Sequence, residues 1–296
     1  MNEGPREQFA QLFPDEKART VLDTQLMREG QQWFPETSAN DFKFKEAGGS
    51  ISEGLNLDGK VGANDFTSPE GERGIDNQLF RAIGCINHYR SPDSLSFFHE
   101  NLFLKAFNTN RFIIEISDID SLINDDDVIV TTYRGLDSLL TDATGQTILP
   151  GGTLRIDQRW GKPFITSVRG KIVNGILTTE PTEIIIPTTD GGSRGGVDQF
   201  KAARFSLSLT NDHADGLLGG YVGIKSFYRH LVIGWSTHHL SYGQVPAASL
   251  FGALQKLADG YPSDDGKMSA ISFAWKIKFV QVFLANRHSQ KIARAE

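Results

Sequence analysis

The chain has 296 residues, 39% hydrophobic and 22% charged, enough for one large domain or two ordinary ones whose core needs no disulfide or structural metal. A net charge of −6 repels phosphate backbones, so general nucleic-acid binding is not expected, and the one dense basic stretch, Arg287–Arg294, is short and interrupted. One cysteine, Cys85, precludes an intramolecular disulfide, no N-x-Ser/Thr sequon is present, and no run approaches the ~18 apolar residues of a membrane helix.

Residues 1–50 read as a polar N-terminal arm. Glu3, Glu7, Asp15 and Glu16 leave no apolar leader segment in the first twenty positions. A helix is expected over Asp15–Arg28, with Val21, Leu22 and Leu26 on one side, broken at Trp33–Pro35. Phe42 to Lys45 shows a short two-residue alternation. Residues 47–76 carry about one glycine in four positions among Asp, Asn and Glu, the composition of a long loop.

Leu79, Phe80, Ile83 and Ile86 then recur at helical spacing behind Asp76, a candidate N-cap. A second helix is expected from about Ser94 to Phe107, with Phe97, Phe98, Leu102, Phe103 and Ala106 on its apolar face.

From Arg111 the pattern is strands. Phe112–Ile116 is followed by an acidic turn, Asp118 to Asp127, and then by Val128–Tyr133. Leu154–Ile156, Phe164–Val168, Lys171–Val173, Ile176–Thr179 and Glu183–Ile186 follow, separated by Gly, Asx and Pro signals. Asn174-Gly175 predicts a hairpin, because a type I′ turn requires positive φ at both central residues. Gly191–Gly196 reads as a loop, Phe200–Leu209 as an alternating strand, Asn211–Gly216 as a turn and Leu217–Val222 as the returning strand.

Helices are expected over Ile224–Leu231 and Ser249–Ala258, the second ended by Gly260 and Pro262. Ile271, Phe273, Trp275, Ile277 and Phe279 alternate with smaller or charged residues, the clearest period-two signal in the chain. The expected fold is a β-rich α+β domain over 51–296. Its core, between about residues 111 and 222, is an antiparallel sandwich or barrel-like sheet, with flanking helices on both sides and a basic tail from 286.

Oxygen-rich loops are the first candidates for chemistry. Asn56, Asp58, Asn64, Asp65, Glu70 and Asp76 lie within 21 residues among glycines, which suits the six to eight oxygens Ca²⁺ prefers. The EF-hand template fails, since Gly59 at its sixth position puts Gly54 where an Asp should begin the loop. The second cluster, Asp118, Asp120 and Asn124–Asp127, reads first as a hairpin tip.

His230, His238 and His239 cluster without the i, i+4 spacing of a helical metal pair. With Trp235 and Tyr242 nearby, His238 and His239 either line a pocket or pack as an aromatic surface. Gly234-Trp235-Ser236-Thr237-His238 approximates a nucleophile elbow but lacks its second glycine. Gly260–Lys267 is one residue too long for a phosphate loop and carries Asp264 and Asp265, which would repel phosphate. Cys85 reads as a buried structural thiol. Trp160, in a loop between strands, is a candidate stacking platform for a sugar ring or a peptide side chain.

No complete catalytic signature is present. The leading expectation is a non-enzymatic, calcium-stabilised, extracytoplasmic-type binding module. It would recognise a glycan or partner protein through Trp160, Trp235, Tyr242, His238 and His239. The alternative is a hydrolase whose site joins acids from 118–127 to His238 or His239, and a third reading is an assembly subunit.

Overall fold

Alternation of apolar and polar side chains over long runs yields long strands, and the longest of these build one large antiparallel sheet. A computed structural model describes residues 45–86, 89–91, 94–106, 111–160, 164–190, 194–233 and 247–285, with the short strands β1 (Met27–Arg28) and β2 (Gln31–Gln32). Then come β3 (Phe66–Thr67), β4 (Arg73–Ile75), helices α1 (Gln78–Ile83) and α2 (Leu95–Ala106), β5 (Phe112–Ser117) and β6 (Asp125–Arg134). The middle holds β7 (Gly152–Leu154), β8 (Thr166–Val173), β9 (Ile176–Thr179), β10 (Thr182–Asp190), β11 (Arg194–Leu209) and β12 (His213–Gly223). Helices α3 (Ile224–Ile233) and α4 (Ala247–Leu257) precede β13 (Gly260–Pro262), β14 (Met268–Val280) and β15 (Val282–Leu284).

The sheet has nine strands in the order β13-β14-β12-β11-β9-β8-β6-β5, with β10 on the first half of β11. Its apolar face carries Val128, Val130, Ile172, Leu177, Phe205, Leu207, Leu218 and Phe273, and Leu79, Phe227, Leu250 and Leu254 from α1, α3 and α4 pack onto it. The sheet also curls over that face. Phe112, on the terminal strand β5, lies 6.3 Å from Phe205 on β11 and 6.4 Å from Phe279 on β14. Even so, β5 and β14 are not hydrogen-bonded to each other among the described residues, so the sheet is not closed into a barrel. Two glycines of β12 permit close approach within the curl. A Cβ at Gly216 would meet the Ser206 carbonyl at 2.0 Å, and one at Gly220 would sit 3.0 Å from the Ala203 Cα.

A second, smaller core lies on the other face of β5 and β6. Ile113, Tyr133, Leu154 and Ile156 are buried there, and Val282 and Leu284 pack against them. The cover is a parallel ribbon formed by β7 and β15.

The expected hairpin holds: Asn174 and Gly175 have φ of 51° and 79°, and Val173 pairs with Ile176. Several boundaries differ. Met27–Arg28 form a strand rather than a helix end, and the remainder of that expected helix lies outside the described residues. Asp76 is not the N-cap; Asn77 caps α1 with its side chain, and Asp76 points its carboxylate at the preceding loop. Phe98 and Leu102 of α2 are exposed rather than buried. Arg169-Gly170 does not divide two strands, since β8 runs through it. Residues 194–196 belong to β11 rather than to a loop, because they pair with Thr188–Asp190. Gly216 lies within β12. Trp275 is half-buried, its ring 5.0 Å from Phe200 and 4.9 Å from Phe273.

Candidate functional site

An edge strand whose free side is not covered by another strand leaves both backbone groups and side chains open to a ligand. β5 is such a strand among those described, paired only with β6. Along its free side runs a cleft of about 940 Å³. Its walls come from both faces of β5 (Phe112, Ile114 and Ile116; Ile113), from Phe279–Leu284 across the gap, and from α2 and the 139–154 segment. Asn101, Gln146, Thr147, Thr210, Asn211 and Lys278, which also line it, are exposed and therefore lie at the mouth. The half-buried and buried parts of the wall are mainly isoleucine, leucine, valine and phenylalanine, with Lys105, Glu115, His213 and Gln281 half-buried among them.

One charged residue of the wall is fully buried. Arg111 lines the cleft, is 2% exposed, and none of its three guanidinium nitrogens has a hydrogen-bond partner. Burial lowers its pKa from the ordinary arginine value to about 10, partly opposed by the charge of Asp137. Asp137 is already committed: Arg155 donates to it at 2.6 Å from Nη2 and 3.1 Å from Nε. Across the strand from Arg111 stands Gly135, where a Cβ would come within 3.0 Å of the Arg111 Cβ.

The other titratable groups at the cleft are occupied. Glu115 accepts from the Tyr133 hydroxyl at 2.9 Å. His213 faces Asp212 at 2.6 Å through Nδ1 and Asp215 at 3.3 Å through Nε2. Thr210 Oγ1 lies 2.8 Å from the same Nδ1. A hydroxyl, an imidazole and two carboxylates therefore meet, with Asp215 on the ring nitrogen opposite the hydroxyl. Thr210 Oγ1 also lies 2.9 Å from Asp212 and 2.9 Å from the His213 carbonyl and accepts from His213 N–H at 3.1 Å, the bonding of a turn clasp.

The expected calcium residues are used locally. Asn56 accepts from Gly59 N–H at 2.7 Å and donates to the Lys60 carbonyl at 3.0 Å, and Asp58 accepts from Lys60 N–H at 2.8 Å. Asp65 accepts from Gly62 N–H, the Asn64 carbonyl accepts from Gln78 and Arg81, and Glu70 is exposed. Asp76 accepts from Leu57 N–H at 2.7 Å and Asp58 N–H at 3.3 Å. Burial raises the Asp76 pKa despite those bonds, and the charges of Asp58 and Asp65 raise it further. No group of three or more His, Cys, Asp or Glu side chains arranged for a metal occurs among the described residues.

A buried acid that sequence reading did not single out lies nearby. Asp259 accepts from Ser272 N–H at 2.7 Å and Oγ–H at 2.5 Å, and burial pushes its pKa up to about 6. In the second acidic cluster Asp125 accepts from the backbone N–H groups of Asp120, Ser121 and Asp127, which hold it below the usual carboxylate range. Asp127 pairs with Arg169 at 3.1 Å.

Trp235, His238, His239 and Tyr242 lie outside the described residues, as does the basic tail. Trp160 ends a short 3₁₀ turn, Gln158–Trp160, but its side chain is outside the description. Cys85 is half-buried, its sulfur 3.5 Å from the Glu46 carbonyl. No helix is long and apolar enough to cross a membrane among the described residues. Compared with family models, with curated proteins and with solved structures, the chain matches none.

Proposed function

We propose that the protein is a non-enzymatic binding module whose ligand is an elongated, mainly apolar molecule lying along the free edge of β5. The observation that carries this reading is the cleft. Its volume of about 940 Å³ is that of a small-molecule site, and its wall is mainly apolar with a small number of polar groups. Of the ligand classes expected from the sequence, a glycan is the weaker fit. Sugar hydroxyls buried against isoleucine and leucine without partners cost roughly 1–3 kcal/mol each. A folded protein partner calls for a broader face than a cleft provides. Binding is favoured over catalysis because Glu115 and His213, the natural acid and base of the cleft, are held by Tyr133, Asp212 and Asp215. Calcium is proposed as a stabiliser of the loop carrying Asn56, Asp58, Asn64, Asp65, Glu70 and Asp76, supported by the mutual repulsion of Asp58, Asp65 and Asp76.

Titration with the neutral fluorophore N-phenyl-1-naphthylamine tests the site. Saturable binding is expected, weakened about tenfold or more by Leu122→Asp combined with Phe283→Asp, two exposed apolar residues of the cleft wall. Val61→Asp, an exposed apolar position that does not line the cleft, should leave it unchanged. Equal effects of the two sets, or no saturable binding, would remove the cleft as the site.

A further inference from the structure

An arginine has only donors to offer, five N–H groups in a planar fork, and stays charged at any physiological pH. Burying one without a partner is unfavourable by several kcal/mol, so a buried arginine is normally found against a carboxylate or carbonyl. Arg111 is 2% exposed with Nε and both Nη atoms unpartnered, and it lines the apolar cleft. Its nearest source of negative charge, Asp137, is bound by Arg155 through side chain and backbone. Resting on the reading of the cleft as a binding site, we propose that Arg111 is the anchor for a carboxylate. The ligand is then a long-chain acid, with its head on the guanidinium and its hydrocarbon chain along the isoleucine and leucine wall.

Two features select a carboxylate over a phosphate. A carboxylate carries one charge and two oxygens, which match one guanidinium fork. A phosphate near neutral pH carries more charge than one arginine neutralises. The other lysines of the wall are engaged: Lys105 donates to the Gln146 carbonyl at 2.8 Å and Lys278 lies 3.8 Å from Asp215. Asp137 would add repulsion to any uncompensated negative charge. A neutral alcohol of the same length fills the same wall but leaves the cation unneutralised.

Isothermal titration of the full chain with dodecanoate, 1-dodecanol and dodecyl phosphate separates these cases. Dodecanoate should bind about tenfold or more tightly than dodecanol, as expected for a hydrogen bond to a charged group, and dodecyl phosphate no better than dodecanoate. Arg111→Leu should erase the preference while leaving dodecanol little changed, and Arg111→Lys should keep part of it, since the charge stays and the fork goes. The Leu122→Asp, Phe283→Asp pair should weaken acid and alcohol alike. Equal binding of acid and alcohol by the wild type would overturn the role of Arg111 and leave the cleft standing. Absence of binding by all three would overturn both. A preference that survives in Arg111→Leu would place the anion elsewhere. Melting of Arg111→Leu well below the wild type would make the guanidinium structural and defeat the proposal.

Discussion

Two positions beside the second core hold buried charges under opposite conditions. Asp157, 4% exposed, accepts two 2.9 Å bonds from Arg159 and lies 3.6 Å from Arg134. These bonds hold its carboxyl below the usual range, Arg159 contributing most. One strand away, Arg111 is as deeply buried and has nothing to bind. Both side chains are covered, and compensation exists at one only. The paired carboxylate belongs to the architecture: it ties Arg134 at the end of β6 to the turn after Ile156. The unpaired cation has no such tie, and on the proposal above it is held for an external anion.

The largest effect that bears on this contrast is removal of Asp157. Asp157→Ala should cost roughly 2–4 kcal/mol in a urea titration, because Arg134 loses its carboxylate in a half-buried place. Dodecanoate binding should persist in the same variant under stabilising conditions. A loss below about 1 kcal/mol would mean the exposed Arg159 pair carries no net stability. The opposite sign is expected at Arg111. Arg111→Leu should raise stability by about 1–3 kcal/mol without ligand, since an uncompensated buried charge is exchanged for an apolar group. Destabilisation there would break the contrast.

Asp259 offers an intermediate case, a buried carboxylate with hydrogen bonds from Ser272 and no cation. Its folded pKa, about 6, lies above the ordinary aspartate value, so the native state holds a proton that the unfolded chain has released between those two pH values. Stability from this group therefore rises as pH falls through about 6. Between about pH 7.5 and about pH 4.5 the wild type should gain roughly 1–2 kcal/mol relative to Asp259→Asn. A difference that is flat or of opposite sign across that window would show an ordinary carboxyl. The smallest effect concerns the loop in which the charges of Asp58 and Asp65 act against that of Asp76. With the Asx turns already formed, calcium at about five times its dissociation constant should add about 1 kcal/mol, or 2–4 °C. Asp58→Ala with Asp65→Ala should abolish the rise, and equal melting temperatures in calcium and EDTA would dismiss the ion.

Much of the sheet was legible locally. The period-two run of β14 and the Asn174-Gly175 turn are short-range signals, and both appear where expected. The curl was not, because it depends on Gly216 and Gly220 lying within a strand, whereas a glycine read alone suggests a turn. Arg111 shows the same limit more sharply. Just before β5 it stands two and four residues from Ile113 and Glu115, a half-polar alternation that reads as a face open to solvent. Only the β7–β15 ribbon, assembled from residues 152–154 and 282–284, buries that face. Asp259 was hidden likewise, its hydrogen-bond partner Ser272 lying thirteen residues on. Asp76 was a reasonable N-cap by position, but its neighbour Asn77 took the role.

The free edge of β5 has a further consequence, for the behaviour of the protein in concentrated solution. Phe112–Ser117 presents a six-residue row of backbone donors and acceptors with three isoleucines and little charge, the kind of segment that templates addition of a strand from another molecule. Glu115 is the only charged residue within it, and helix α2 and the ribbon stand on either side of the gap. An occupied cleft would shield this row, and an empty one leaves it open. The ligand would then act as a chaperone of its own binding protein: the empty form should aggregate first, with β5 as the seed.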